Sequence, residues 1–482
     1  MKIYLIFSRK LEQASNIPPL GIMSIAAVLR DNGYKSIQLF DMAFHSKAYI
    51  VEKCVKGKPD IIGMSSDSIS FDNGMALLKK IQNKYEGATY ILGGVHSTIF
   101  PKQSLFDTRA EIAVIGEGES TIVDVIKAIE KKQNYEDING IAYIYKGQFI
   151  LNEKRKPIEN LDTIPFPARD LLPMEQYLKT PPDVPMLYPT ITIFVSRGCK
   201  GNCIYCQPVA RTLFGSKMRQ KSVKRVIEEI LLLKKHYKFN SLYFTDDEFL
   251  YNGRDWIENF CNTLIDKRLK LNWACQARVD QIDDDIAKLI KKSGCYALGV
   301  GVESGSHEIL KYMRKGYKIP QIDRAFDICR RNKIITTCNF MVGTPGETYS
   351  TIQESIKMLR RIRPNLVRCS ITTPTPGSDL YLRMASENRI NITKLSEFDR
   401  WASYPIKLDN FSKEDLQSSI KKILRIFYKN LFSIIFNPAR WIKEFYFFKI
   451  LLHRYLYLFK EPVCFWKDIL FYLNYFTHRK GR

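Results

Sequence analysis

Three cysteines on one short loop hold the most reactive potential of this chain. They are Cys199, Cys203 and Cys206, in the string Ser196-Arg197-Gly198-Cys199-Lys200-Gly201-Asn202-Cys203-Ile204-Tyr205-Cys206. Thiolates at spacings of four and three on a tight loop can hold three corners of a cubic iron–sulfur cluster. The fourth iron then has no protein ligand and stays open to a substrate that takes an electron from it. Gly198 and Gly201 let the backbone close around such a group, with N–H dipoles turned toward sulfide. A structural zinc would want a fourth Cys or His nearby, and none follows at such spacing. Simple buried thiols are the other reading, although these rarely cluster three deep on a glycine-rich loop.

The loop needs a strand behind it, and the β-branched run Thr190 to Val195 supplies one. Further strand-like runs follow at 241–246, 271–279, 297–304, 334–343 and 366–373, with helical patterns between them, clearest at 223–236 and 322–332. Six βα units predict a partial (β/α)6 barrel over 186–405, with chemistry at the carboxyl-terminal ends of its strands. Polar strings fall at those ends. Asp246 and Asp247 could accept hydrogen bonds from an ammonium group, or simply cap a helix. Arg278 offers a guanidinium able to fork onto a carboxylate. Glu303 and Ser304 follow the fourth strand, and Gly343, Pro345 and Glu347 follow the fifth.

Residues 1–140 alternate in the same way. Strand-like runs at 2–7, 36–41, 61–66, 89–94 and 112–117 enclose helical patterns at 20–32, 73–85 and 120–132. Such alternation predicts a doubly wound, Rossmann-like α/β domain that binds a ligand beyond its strand ends. Ser65, Ser66, Gly93, Gly94, Gly116 and Glu117 lie there. No Gly-x-Gly-x-x-Gly follows the first strand, which argues against a nicotinamide cofactor. Residues 141–185 read as a hairpin turning at Lys146-Gly147 and then a proline-rich linker, Leu161 to Asp170, ending in Pro181, Pro182 and Pro185.

With Tyr205 as the aromatic before the last cysteine, the Cys-x3-Cys-x2-Cys loop resembles the signature of the radical S-adenosylmethionine (SAM) superfamily. The resemblance implies a [4Fe-4S] cluster on Cys199, Cys203 and Cys206, SAM at the open iron, and a flavodoxin- or ferredoxin-type reductant. It also implies that Tyr205, Asp246, Asp247, Arg278, Glu303, Ser304, Gly343, Pro345 and Glu347 surround SAM. Ser65, with Gly93-Gly94 twenty-eight residues later, resembles the serine and double-glycine elements of cobalamin-binding domains. Ser66, Gly116 and Glu117 join that set. The Asp-x-His-x-x-Gly element is missing, because 8–19 contain no histidine, so the resemblance implies cobalamin without a protein imidazole below cobalt. The implied activity is methylation of an unactivated carbon in a small or lipid-like substrate. The 5′-deoxyadenosyl radical abstracts hydrogen, and cobalamin supplies the methyl group.

The composition bounds the rest. The 482 residues are 45% apolar and include 11 cysteines, too few for a disulfide scaffold. Met1 leads straight into a strand-like run with no leader signal, and a loop that needs reduced thiols points to the cytoplasm. The net charge is +24, and residues 411–482 carry 14 Lys/Arg against 5 Asp/Glu with 19 aromatics. That stretch, within an extension over 406–482, reads as basic helices, either packed on the barrel or dipping into an anionic inner membrane face. Three rival functions remain. Cyclisation or rearrangement would use the same cofactors. Modification of tRNA is disfavoured, since residues 1–185 contain only Cys54 and so no second cluster. A non-catalytic electron carrier would hold a cluster but form no 5′-deoxyadenosine.

Overall fold

The computed structural model describes residues 1–9, 17–179, 187–206, 209–392, 394–398 and 404–435. Expectations that fall on 10–16, on Pro181, Pro182 and Pro185, and on 436–482 lie outside the described residues.

The first sheet grows from strands that are apolar on both faces, as parallel strands between helices must be. Lys2–Phe7 (β1), Ser36–Asp41 (β2), Ile61–Ser65 (β3), Thr89–Gly93 (β4) and Ile112–Val114 (β5) run parallel in the order β2-β1-β3-β4-β5. Ile3 and Leu5 pack on one side against the helices Leu20–Asp31 and Gly118–Glu130. Tyr4 and Ile6 pack on the other side against Lys47–Gly57 and Phe71–Gln82. The hairpin Ile141–Tyr145 (β6) and Gln148–Leu151 (β7), expected in the connector, instead adds antiparallel to β5 and extends the sheet to seven strands. It covers the edge that short β5 would leave open.

The carboxyl end of the linker is fastened to both domains. Arg30 on the first helix forks onto Asp170 at 2.8 and 2.7 Å. The buried Arg169 donates to the Thr192 carbonyl at 2.6 Å and lies 3.6 Å from Glu229.

The second sheet starts with Thr190–Ile193 (β8), and the chain then makes a separate two-residue antiparallel ribbon of Ser196–Arg197 (β9) and Arg219–Gln220 (β10). Ser241–Phe244 (β11), Trp273–Ala277 (β12), Cys295–Glu303 (β13), Ile335–Val342 (β14) and Leu366–Ile371 (β15) complete the sheet. These strands are parallel in the order β15-β14-β13-β12-β11-β8, the open six-stranded barrel that the alternation predicts. Ala274, Tyr296, Ile335 and Leu366 form an apolar cluster of their own within this sheet. The helix Lys413–Ile435 sets Leu416, Ile420, Ile423 and Leu424 into the barrel core, so the first part of the expected extension belongs to the barrel. Among the described residues, no helix is long and apolar enough to cross a membrane.

Candidate functional site

The chain leaves β8 after Ile193, and a buried carboxylate fixes its exit into the cysteine loop. Asp246, at the end of β11, accepts the N–H groups of Val195 at 3.1 Å and Ser196 at 2.6 Å, together with the Ser196 hydroxyl. Burial raises its pKa to about 6 although those bonds pull the other way. Asp246 therefore shapes the loop rather than facing a ligand. The backbone at Gly198 is left-handed (φ +91°), and a side chain there would drive into the Lys217 carbonyl. The loop is then tied down by Ile204 N–H to Met313 O (3.2 Å) and Leu380 N–H to Ile204 O (2.8 Å).

Cys199, Cys203 and Cys206 all open onto one cavity of about 560 Å³. Asp247, Glu248, Gln276, Arg278, Glu303, Lys315 and Asn339 share its walls, with Tyr205 beside the last cysteine. Burial raises the Cys199 thiol and pushes Cys206 up to about 12. Cys199 and Cys206, held this way, ionise readily only beside a cation, and iron provides one. Among the described residues, no three His, Cys, Asp or Glu groups converge on a single metal ion. The donors do suit a cluster: three soft ligands around one cavity, with the Gly201 N–H 3.3 Å from the Cys199 sulfur.

Charge in the cavity is organised around a buried lysine. Lys315 donates to the Tyr205 hydroxyl at 3.2 Å and pairs with Glu303 at 3.3 Å. Burial opposes its charge, but Tyr205, Tyr317 and Glu303 more than offset this and raise its pKa. Glu303 itself sits at φ +68°, a strained position for a non-glycine residue at the strand end. Arg278 does not offer a free fork. It grips Asp280 at 3.0 Å through two nitrogens and the Lys315 carbonyl at 2.5 Å, while its third nitrogen lies 3.9 Å from the Cys203 sulfur. One buried carboxylate oxygen of Glu248 has no partner among the described residues, and desolvation pushes its pKa up to about 8.

Amides form the deeper wall. Gln276 on β12 donates to the Tyr243 hydroxyl at 2.6 Å and accepts from Asn339 of β14 at 3.3 Å. Gly299 on β13 makes this crossing possible, because a Cβ there would lie 2.5 Å from the Gln276 oxygen.

Besides Asp246, four of the expected SAM contacts stand outside this cavity lining: Ser304, Gly343, Pro345 and Glu347. Ser304 is buried against Ser355 at 3.5 Å. Glu347 turns back onto the N–H groups of Gly343 at 2.5 Å and Thr344 at 3.4 Å. Gly343 lies under Leu416, and Pro345 is buried in the same turn.

In the first sheet, Ser65, Ser66, Gly93, Gly94 and Gly116 gather at the strand ends as expected. A side chain on Gly94 (φ +89°) would meet the Ser65 hydroxyl at 2.7 Å, so Ser65 and Gly94 are mutually fitted. Beside them, the Ser66 and Ser97 hydroxyls and His96 Nε2 are buried with no partner among the described residues. Burial lowers His96 to about 4, leaving the imidazole neutral. Orphaned polar atoms at the strand ends fit a polar cofactor tail that would satisfy them. Glu117 does not join this group. It pairs with Arg219 at 2.6 Å and accepts the Ile158 N–H at 2.8 Å, on the seam between the domains.

The two sites face each other. Gly377, on the rim of the barrel cavity, leaves no room for a side chain against Ile99 of the short helix Val95–Ile99, which follows Gly94 (2.9 Å). Lys315, Glu248, Gln276, Asn339 and Arg197 were not identified as site residues from the sequence. Local signals were available in Glu248, which directly follows Asp246 and Asp247 in the same acidic string, and in the basic pair Arg314-Lys315 before a glycine.

Residues 193–359 match the family described as the Radical SAM superfamily, and residues 11–126 match the B12 binding domain. An uncharacterised methyltransferase of Pyrococcus horikoshii is 29% identical over 421 residues, 85% of this chain and 88% of its own length. The anaerobic magnesium-protoporphyrin IX monomethyl ester cyclase of Rubrivivax gelatinosus is 27% identical over 428 residues, 87% of this chain and 75% of its own. Among solved structures, the cobalamin-dependent SAM radical enzyme OxsB with aqua-cobalamin and SAM bound superposes with a TM-score of 0.73. It is 19% identical and covers 97% of this chain and 75% of its own.

Proposed function

Since the chain belongs to the radical SAM enzymes that carry a B12-binding domain, we propose that it methylates an unactivated carbon of a small, hydrogen-bonding substrate. When bound, the cluster, SAM and cobalamin supply reductive cleavage of a sulfonium and delivery of a methyl group. The protein's part is to hold, orient and exclude water. In this reading Cys199, Cys203 and Cys206 bind the cluster. The carboxyl groups of Asp247 and Glu248 receive the ammonium of SAM in place of Asp246, and Lys315, held by Glu303, meets its carboxylate. Ser66, Ser97 and His96 would meet the polar tail of cobalamin, and Ser65 with Gly94 shapes the strand ends beside it.

One observation carries the proposal. The three thiols, a paired buried lysine and two uncharged amides line a single cavity whose rim abuts the helix after Gly93-Gly94. Gln276 and Asn339 bond each other but keep further donor and acceptor positions on the cavity wall, which favours a substrate with hydrogen-bonding groups over a hydrocarbon end. Peripheral contact of the basic, aromatic residues 436–482 with an anionic membrane face is a further proposal, supported by their composition. Ring closure is the second reading, favoured by the likeness to the Rubrivivax cyclase.

The test is anaerobic reconstitution with iron, sulfide and cobalamin, followed by reduction and mass analysis of SAM products against an aqueous cell extract. Methylation predicts 5′-deoxyadenosine together with S-adenosylhomocysteine, and Cys199→Ala should abolish the former. A ring-closed product without S-adenosylhomocysteine would favour the second reading. Unchanged turnover in Cys199→Ala would remove the cluster from the chemistry.

A further inference from the structure

Glu117, Glu119, Arg197 and Arg219 form a buried ion cluster that none of the binding roles above uses. Their side chains are 3–7% exposed, yet they come from different domains. Glu117 ends the loop after β5 and Glu119 lies in the first turn of the helix Gly118–Glu130 that follows it, and the two arginines lie on the β9–β10 ribbon, where they pair directly across. Arg219 forks onto Glu117 at 3.1 and 2.6 Å, and it also donates to the carbonyls of Ile158 at 2.6 Å and Phe214 at 2.7 Å. Arg197 pairs with Glu119 and lies 3.6 Å from Glu117.

The cluster reaches both cofactor regions through few atoms. On one side, the Gly116 N–H donates to Thr98 at 3.1 Å, and Thr98 adjoins Ser97 in the short helix Val95–Ile99 after β4, whose hydroxyl has no partner among the described residues. On the other side, Arg197 stands two residues before Cys199, and Gly198 between them is wedged against the Lys217 carbonyl. Neither half of the cluster can leave the other without stranding a buried charge. Ordering one loop therefore favours the ordered form of the other.

We propose that this four-residue cluster is a latch that couples cobalamin binding to cluster assembly, so that each cofactor raises the protein's affinity for the other. Glu117, Glu119, Arg197 and Arg219 act as positioning residues in this scheme, since they hold loops and touch neither group. The inference rests on the cofactor reading above. Coupling of this kind is reciprocal, and its usual size is about 5- to 150-fold.

The experiment is a hydroxocobalamin titration of the full chain, measured by equilibrium dialysis, with and without an anaerobically reconstituted cluster. The wild-type Kd should be at least about fivefold tighter with the cluster present. In Arg219→Met the ratio should fall to about one, although each cofactor still loads alone. Arg197→Lys and the charge exchange Glu117→Arg with Arg219→Glu provide further variants if that one folds poorly, and the exchange should recover part of the ratio. Equal Kd values in a wild-type protein that loads both cofactors would overturn the latch. So would an undiminished ratio in well-folded Arg219→Met. Wild-type protein that takes up no cobalamin at all would overturn the cofactor reading itself, and the latch with it.

Discussion

Glu248→Gln isolates one buried charge in the wall of the cavity. Glu248 is 5% exposed, and desolvation moves its pKa from an ordinary 4.5 to about 8, against the pull of the Arg278 backbone and of Arg278 and Lys315. The folded protein therefore keeps a proton on Glu248 that the unfolded chain has released above pH 4.5. Its stability falls as pH rises through the interval from 4.5 to 8 and levels off beyond it. Each pH unit in that window costs roughly 1.4 kcal/mol, so the ceiling between about pH 5.5 and pH 8.5 is roughly 3 kcal/mol. Water entering the open cavity lowers this to about 2 kcal/mol, or a shift in Tm of about 4–8 °C for a barrel of this size. Glutamine carries no proton to lose, and the other buried acids, Asp246 and Glu347, titrate in both proteins and cancel. Thermal melts of the two apoproteins should thus diverge with pH, with the variant ahead under alkaline conditions. If SAM's ammonium sits at Glu248, the variant should also bind SAM more weakly. Parallel Tm curves across that range would refute the desolvation argument.

Two further outcomes test the substrate and the tail. Asn339→Leu should lower methylated product from an aqueous extract about tenfold, the loss of one hydrogen bond and the stranding of another, while uncoupled formation of 5′-deoxyadenosine persists. Equal loss of both activities would mean that Asn339 supports the SAM site instead. A chain ending at Ile435 keeps Leu416, Ile420, Ile423 and Leu424 in the core, so it should fold and yet lose affinity for vesicles containing anionic lipid. Undiminished vesicle binding would place the membrane contact elsewhere.

Much of the fold was legible because local pattern determines it. The run from Lys2 to Phe7 forms a strand over its full length, and the helix Val223–His236 matches its apolar period from end to end. Strand ends were less legible, since Val195 and Asp246 continue the β-branched or polar pattern while already leaving the ladder to build loops. The β9–β10 ribbon has two residues per strand and so carries no periodicity to read. The hairpin at 141–151 was recognised as a hairpin, but its partner, β5, could be known only from the assembled sheet.

The chain's sequence by itself determined the chemistry on offer: a cysteine triad whose spacing suits a three-cornered grip, two rounds of βα alternation, and acids, amides and arginines at strand ends. Tertiary structure decided which of those groups remain available. Arg278 is taken by Asp280, Asp246 by the loop it shapes, and Glu117 by Arg219, which is 102 residues away. Glu248, Gln276, Asn339 and Lys315, from four separate segments, meet around the cysteines. A side chain's type is local, but its hydrogen-bond partner depends on strand register and domain docking, and these exist only once the chain has folded.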